Sequence, residues 1–143
     1  MVRRLRKTDL DAAAEIWLDT NIRAHSFIPA QYWRDNFEAV KGMLAQAEVY
    51  VFENQGGIKG FIGLDGGYVA GIFVREAAQS GGIGRRLMDF VKEGRKQLGL
   101  SVYQKNGRAV RFYQREGFHI QREQMDKSTG EAEYYMEWRQ GEF

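Results

Sequence analysis

The 143-residue chain contains no cysteine, which removes a disulfide scaffold, a thiolate zinc site and a cysteine nucleophile together. Proline occurs once, at Pro29, and histidine twice, at His25 and His119. No stretch approaches eighteen consecutive apolar residues, so nothing reads as a membrane-spanning helix. Met1-Val2-Arg3-Arg4-Leu5-Arg6 runs into polar sequence without the apolar core of a secretion signal. A cytoplasmic location with no membrane partner is therefore expected. Charge of one sign is also scarce: a net +2 and a pI near 8.9 are too mild for a nucleic-acid partner. They remain compatible with an anionic small ligand.

What is present fits one folded domain over residues 1–143, since 43% hydrophobic and 28% charged residues describe a globular chain long enough for one good core. No linker, repeat or low-complexity tract interrupts it. A first strand is expected over about 2–6. Thr8, with Asp9 and Asp11 behind it, reads as a helix N-cap, and Leu10, Ala13, Ile16 and Trp17 follow at helical spacing. Pro29 is placed to open a second helix through about Gln46. Val49–Glu53 alternates as a strand, Asn54–Gly57 has turn chemistry, and a strand from Ile58 to Leu64 leads into the Asp65-Gly66-Gly67 hairpin signal. Tyr68–Val74 is almost wholly apolar and is expected to lie buried in the middle of the sheet.

A helix to about Leu98 comes next, its inner stripe drawn from Ile83, Leu87, Val91 and Leu98, with Gly99 as its stop. Leu100–Gln104 reads as a strand, Asn106–Glu116 as a short helix closed by Gly117, and two last strands near 118–125 and 131–138 flank a turn. The order is βααβββαβαββ, an α+β fold of three mixed layers, α/β/α, on one central sheet.

Between the strand at 68–74 and its helix lies Gln79-Ser80-Gly81-Gly82-Ile83-Gly84, followed at once by Arg85 and Arg86. Free main-chain N–H groups and the positive end of a helix dipole meet there, which suits phosphate oxygens. Cations in a helix's first turn oppose that dipole, and no acid lies between Gln79 and Met88 to offset them. A bound anion would remove the conflict, although a merely flexible loop with solvated arginines reads equally well from the loop alone. A P-loop is excluded because Arg85-Arg86-Leu87 stands where Lys and Ser or Thr are needed. A dinucleotide fingerprint is excluded because residue 87 is Leu rather than Gly, and only about 60 residues remain beyond the loop.

The loop resembles the Q/R-x-x-G-x-G/A signature of the GCN5-related N-acetyltransferases, the GNAT family. Asn106-x-x-Ala109-x-x-Phe112-Tyr113-x-x-x-Gly117-Phe118 is similar to that family's second signature, about thirty residues on. Residues 24–33 and 102–120 resemble the family's small bacterial YiaC/YjaB-type branch. The departure is Glu76, where many relatives have proline. The resemblance implies a GNAT fold, with a mostly antiparallel sheet and helices on both faces, and acetyl-CoA as co-substrate, with no metal.

On the resemblance, Ile72, Phe73 and Val74 would offer main chain to the pantetheine arm, and the N–H near Phe73 would face the thioester oxygen. Gln79, Ser80, Gly81, Gly82, Ile83, Gly84 and Arg85 would hold the diphosphate, and Asn106 the pantetheine. Tyr113 would protonate the departing thiolate as general acid, although at i, i+3, i+4 with Ala109 and Phe112 it also fits a buried helix stripe. His25 is the one candidate base of suitable pKa near a substrate loop, and equally a structural hydrogen bonder. Phe27, Tyr32 and Trp33 would wall the acceptor site or form the apolar face of a helix pair. The expected partner is an amine acceptor, with a protein lysine ranked first. A small amine such as a polyamine, amino acid or aminoglycoside comes second, because acids are sparse in Asn21–Trp33. A non-catalytic acyl-CoA-binding module is third. A monomer or a homodimer is compatible with the late strands.

Overall fold

The computed structural model describes residues 1–141. In chain order it contains β1 (Val2–Arg4), α1 (Leu10–Ala24), α2 (Ala30–Asp35), α3 (Phe37–Leu44), β2 (Glu48–Asn54), β3 (Gly57–Asp65), β4 (Tyr68–Val74), α4 (Ile83–Lys92), β5 (Gln97–Tyr103), α5 (Gly107–Arg115), β6 (His119–Asp126) and β7 (Glu131–Arg139). Short 3₁₀ turns at Lys7–Asp9 and Glu76–Ala78 precede α1 and the glycine loop. The strands form one sheet in the order β1-β2-β3-β4-β5-β7-β6, antiparallel everywhere except between β4 and β5.

Two apolar layers sandwich the sheet. On one face α4 and α5 bring Leu87, Met88, Val91 and Tyr113 onto Ile62, Leu98, Leu100, Val102 and Phe118. On the other α1, α2 and α3 bring Ala13, Ile16, Trp17, Trp33 and Leu44 onto Val49, Val51 and Phe61. Phe61, Phe118, Ile16 and Leu87 are each at most 1% exposed, and burying a side chain of that size stabilises the fold by roughly 1.5–3 kcal/mol. The α+β class and the mostly antiparallel GNAT sheet are as expected.

Several local expectations are corrected. The helix expected to run from Pro29 to about Gln46 is two, because Asn36 donates its side-chain amide to the Tyr32 carbonyl (2.7 Å) and interrupts the ladder. The Thr8 cap does not form. Asp9 instead accepts from the Arg6 N–H (2.7 Å) and from both terminal nitrogens of Arg3 (2.7 and 3.1 Å). The helix expected to reach Leu98 ends at Lys92, and Gly94, at φ +75°, carries the reversal that Gly99 was given. Leu98 belongs to β5, where Leu98, Leu100 and Val102 alternate into the α4–α5 core.

β4 is central, yet it is not buried throughout. Val69 is 2% exposed, whereas Tyr68 and Ala70 are exposed and residues 71–74 are only half-buried. The cause is the pairing. β4 matches β5 only at Tyr68↔Gly99 and Val69↔Leu100, and beyond them the strands part. On its other side β4 carries a bulge, since Gly63 pairs with Gly71 and Leu64 with Val69, leaving Ala70 unmatched. An added Cβ at Gly71 would sit 2.5 Å from the Phe73 ring. A glycine inside an otherwise apolar strand marks that bulge.

Candidate active site

The parting of β4 from β5 opens a cleft of about 1420 Å³ that passes from one helical layer to the other. It gathers Ile72, Phe73, Val74, Gln79, Ser80, Gly82, Ile83, Gly84, Arg85, Asn106 and Tyr113 along its walls, together with His25 and Trp33. Residues from α2, β4, α4 and α5 and from the segments that connect them thus converge. Gly81, Phe27 and Tyr32 do not line it. Phe27 packs behind the wall against His25 and Tyr103 (centroids 5.6 Å to each), with the Lys105 ammonium over its ring. Tyr32 instead shares a hydroxyl hydrogen bond with Ser128 (2.9 Å), tying α2 to the β6–β7 turn.

The glycine loop has the shape of an anion cradle. Ser80 holds φ +69° and Gly82 φ +84°, so successive N–H groups turn toward one side as α4 begins. A non-glycine residue at positive φ stores strain, which persists only where its surroundings fix it. Here Gln79 donates its side-chain amide to the Val74 carbonyl (2.9 Å), and Arg108, from the first turn of α5, reaches the Ser80 hydroxyl (3.2 Å). Ile83 is 8% exposed with its side chain in the core, so only its main chain faces the cleft. The two arginines diverge. Arg85 remains exposed with a loose 3.9 Å approach to Asp89, whereas Arg86 lies over the Phe52 ring and leaves the loop. Arg108 takes its place, a residue that no spacing in the sequence singled out. Six cations (Arg23, Arg85, Lys92, Lys105, Arg108, Arg115) against four acids line the cleft, a balance that favours an anionic occupant.

Asn106 caps α5 by accepting from the Ala109 N–H (3.2 Å), and its amide nitrogen faces His25 Nε2 at 3.1 Å. With Asn106 as donor, that imidazole nitrogen is an acceptor and the ring is neutral. Burial pulls the His25 pKa down to about 4, opposed only in part by the nearby Asn21 carbonyl, to which Nδ1 makes no well-formed hydrogen bond. An imidazole tied in this way is a poor base near neutral pH. Tyr113 is 7% exposed, and burial, with a smaller contribution from Tyr68, raises its pKa above the usual phenol value. Its ring packs between Phe112 and Phe118, as a buried helix stripe requires, and it also lines the cleft.

β5 and β7 bring further residues that sequence spacing did not reveal. The register Ser101↔Tyr135 and Tyr103↔Glu133 sets these side chains on one face at the open end of the gap. Tyr103 donates to Asp126 (2.5 Å), and burial together with that carboxylate raises its pKa. Strand pairing alone carries this information.

The family model described as Acetyltransferase (GNAT) domain matches residues 19–138. The chain is 41% identical over 122 residues to peptidyl-lysine N-acetyltransferase YiaC of Escherichia coli, covering 84% of each protein. The solution structure of apo YjaB from Escherichia coli superposes with a TM-score of 0.86 at 23% identity, over 96% of both chains. The structure of yncA from Salmonella typhimurium with its cofactor acetyl-CoA shares the fold at a TM-score of 0.67 and 18% identity, over 100% of this chain and 95% of that one.

Proposed function

The chain belongs to the acetyltransferase (GNAT) family, and from that premise we propose that it transfers the acetyl group of acetyl-CoA to the side-chain amine of a lysine in a protein. The observation that carries this reading is the gap between β4 and β5, whose open main-chain edge leads directly to the cradle at the start of α4. An arm bearing amides, ending in a diphosphate, matches both parts. The relative at 41% identity is named for peptidyl-lysine, which supports the choice of acceptor.

In this reading Ile72, Phe73 and Val74 orient the arm through the unpaired edge of β4. Gln79, Ser80, Gly82, Ile83, Gly84 and Arg85, with Arg108, hold the diphosphate, and Asn106 fixes the arm while it caps α5. Acetyl-CoA supplies a thioester carbon and a thiolate leaving group. The N–H near Phe73 faces the charge that develops on the thioester oxygen. Tyr113 keeps its proton at neutral pH because burial disfavours the phenolate, and it donates a hydrogen bond to the departing sulfur. His25 holds Asn106 rather than serving as base.

One observation favours a second reading, a small cationic amine as acceptor. The acids missing from residues 21–33 arrive from the β6–β7 hairpin, where Asp126 meets Tyr103 and Glu133 lines the cleft. A thiol-release assay with a lysine peptide and a polyamine, backed by mass spectrometry of the peptide, separates the two. Release with neither amine, alongside stabilisation by acetyl-CoA, would leave only a binding module.

A further inference from the structure

The acetyl-transfer reading needs a group that accepts the acceptor's proton, and neither histidine supplies one: His25 is half-buried and bonded to Asn106, while His119 lies exposed on the edge strand β6. Four acids line the cleft. Glu76 pairs with Arg23 at 2.6 Å, and Asp89 lies 3.9 Å from Arg85. Burial raises the Glu116 pKa as well, but Glu116 stands at the end of α5 among Lys92, Arg85 and Arg115, whose charges favour its ionised form. Among the described residues neither Glu116 nor Glu133 makes an ion pair, but only for Glu133 does no cation figure among the groups that act on it.

Its position is equally distinct. The pairing Tyr103↔Glu133 places it beside the aromatic wall of Tyr103 and His25, whose rings are 5.0 Å apart, on the α1–α2 side of the gap. The diphosphate cradle lies toward the opposite layer, so Glu133 stands on the side from which an acceptor would approach. Gln124 on β6 donates to Glu133 Oε1 (3.0 Å) and to Ser101 Oγ on β5 (3.0 Å). The carboxylate is therefore held from β6, by an amide that is itself anchored to β5, while Oε2 has no protein partner among the described residues. The other charged groups near it are Asp126 and Glu123 on β6 and the Lys105–Glu131 pair; Asp126 hydrogen-bonds Tyr103, and Glu123 shares Gln104 with the Glu133 carbonyl. Burial, reinforced by Asp126, moves the Glu133 pKa above the ordinary glutamate value, toward the range of a working base.

Resting on the acetyl-transfer reading, we propose that Glu133 receives the acceptor's ammonium group and takes its proton. One N–H bond breaks, its electron pair stays on nitrogen, and an O–H bond forms at Glu133. The freed pair forms the new C–N bond as the C–S bond breaks. Sulfur gains a proton from Tyr113, which recovers one from the nascent amide nitrogen, and Glu133 returns its proton to solvent. Each turnover converts an ammonium and a thioester into an amide, a thiol and one released proton.

The test follows the Glu133 side-chain carboxyl by ¹³C NMR in the CoA-loaded protein, assigned by difference from Glu133→Gln. Titration is run with and without saturating Nα-acetyl-lysine methylamide. The apparent pKa should fall by a unit or more when the amine binds, and an unchanged value would overturn the proposal. In thiol release, Glu133→Gln should lose at least thirtyfold in kcat/KM while acetyl-CoA affinity stays within twofold, with Glu133→Asp recovering part of the loss. Wild-type rates in Glu133→Gln would also overturn it. If Glu133→Gln does not fold, the carboxyl is assigned by its through-bond correlations and the wild-type titration still decides. A carboxyl shift in a protein that acetylates no amine would sink the acetyl-transfer reading and leave the ammonium site standing.

Discussion

The side-chain amide of Asn106 sits 3.1 Å from the Nε2 of His25, joining the first turn of α5 to the end of α1 across the cleft. One asparagine thus does two things, capping a helix and fixing the tautomer of His25. Because the native state holds His25 neutral, its folded pKa of about 4 lies below the unfolded value near 6.5. The unfolded chain binds the extra proton first, so this contribution is complete above about pH 6.5 and is lost as pH falls toward 4.

His25→Gln should therefore flatten that part of the stability profile, narrowing the difference from wild type by roughly 2 kcal/mol between pH 7 and pH 4. Chemical denaturation at several pH values measures it. The acid limb of kcat/KM should stay where it is in the variant; a displaced limb would return His25 to the role of base.

Tyr113→Phe should leave acetyl-CoA affinity within about twofold and reduce kcat by roughly 10²–10⁴. The ring packs in the core between Phe112 and Phe118, so removing only the hydroxyl preserves the fold. Calorimetric titration with acetyl-CoA beside thiol release separates the effects, and unchanged turnover would remove Tyr113 from the chemistry.

Gly82→Ala places a side chain at φ +84°, costing about 1–2 kcal/mol of local conformational energy. The cost falls on the cradle, so acetyl-CoA should bind roughly tenfold more weakly with the amine KM nearly constant. Steady-state kinetics with each substrate varied in turn checks the split.

Arg3→Met removes the most deeply placed ion pair, that with Asp9, together with the more exposed one to Glu53. Arg3 and Asp9 are each 10% exposed in their side chains and bonded twice. Leaving Asp9 without its guanidinium should destabilise the protein by about 3 kcal/mol at neutral pH. Arg3 holds the Asp9 pKa below the ordinary carboxylate value, so the pair's contribution is present above that value and lost as pH falls through the lowered one. The gap between wild type and variant should close in acid, as thermal unfolding at pH 7 and pH 3 will show.

Glu76→Pro should be tolerated, changing stability by less than about 1 kcal/mol. Arg75 already has φ −52° and ψ 140°, the extended geometry that a following proline demands. What is lost is the Arg23–Glu76 pair, whose side chains are 62% and 63% exposed, and such pairs contribute little.

The helix and strand inventory was legible wherever one periodicity held alone. β4, α5 and the β6–β7 hairpin lie within a residue or so of expectation, because their apolar spacing and turn residues agree. Errors arose where a side chain competed with the backbone, as at Asn36 and Asp9, and where two periods met, as at Leu98. The glycine loop and Tyr113 were readable because local sequence carries them. Arg108, Tyr103 and Glu133 were not, since only strand register and the position of α5 bring them to the cleft. Arg86 misled for the same reason: adjacency to Arg85 says nothing about which way a helix turns its side chains.

Only Tyr68–Gly99 and Val69–Leu100 join a four-stranded block to a three-stranded one. Any occupant that satisfies both exposed margins acts as the missing rung between the blocks, coupling their fluctuations mechanically. Amide exchange should then slow in β4 and β5 together when the slot is filled, and the two blocks should melt as one unit rather than flexing about a two-residue seam.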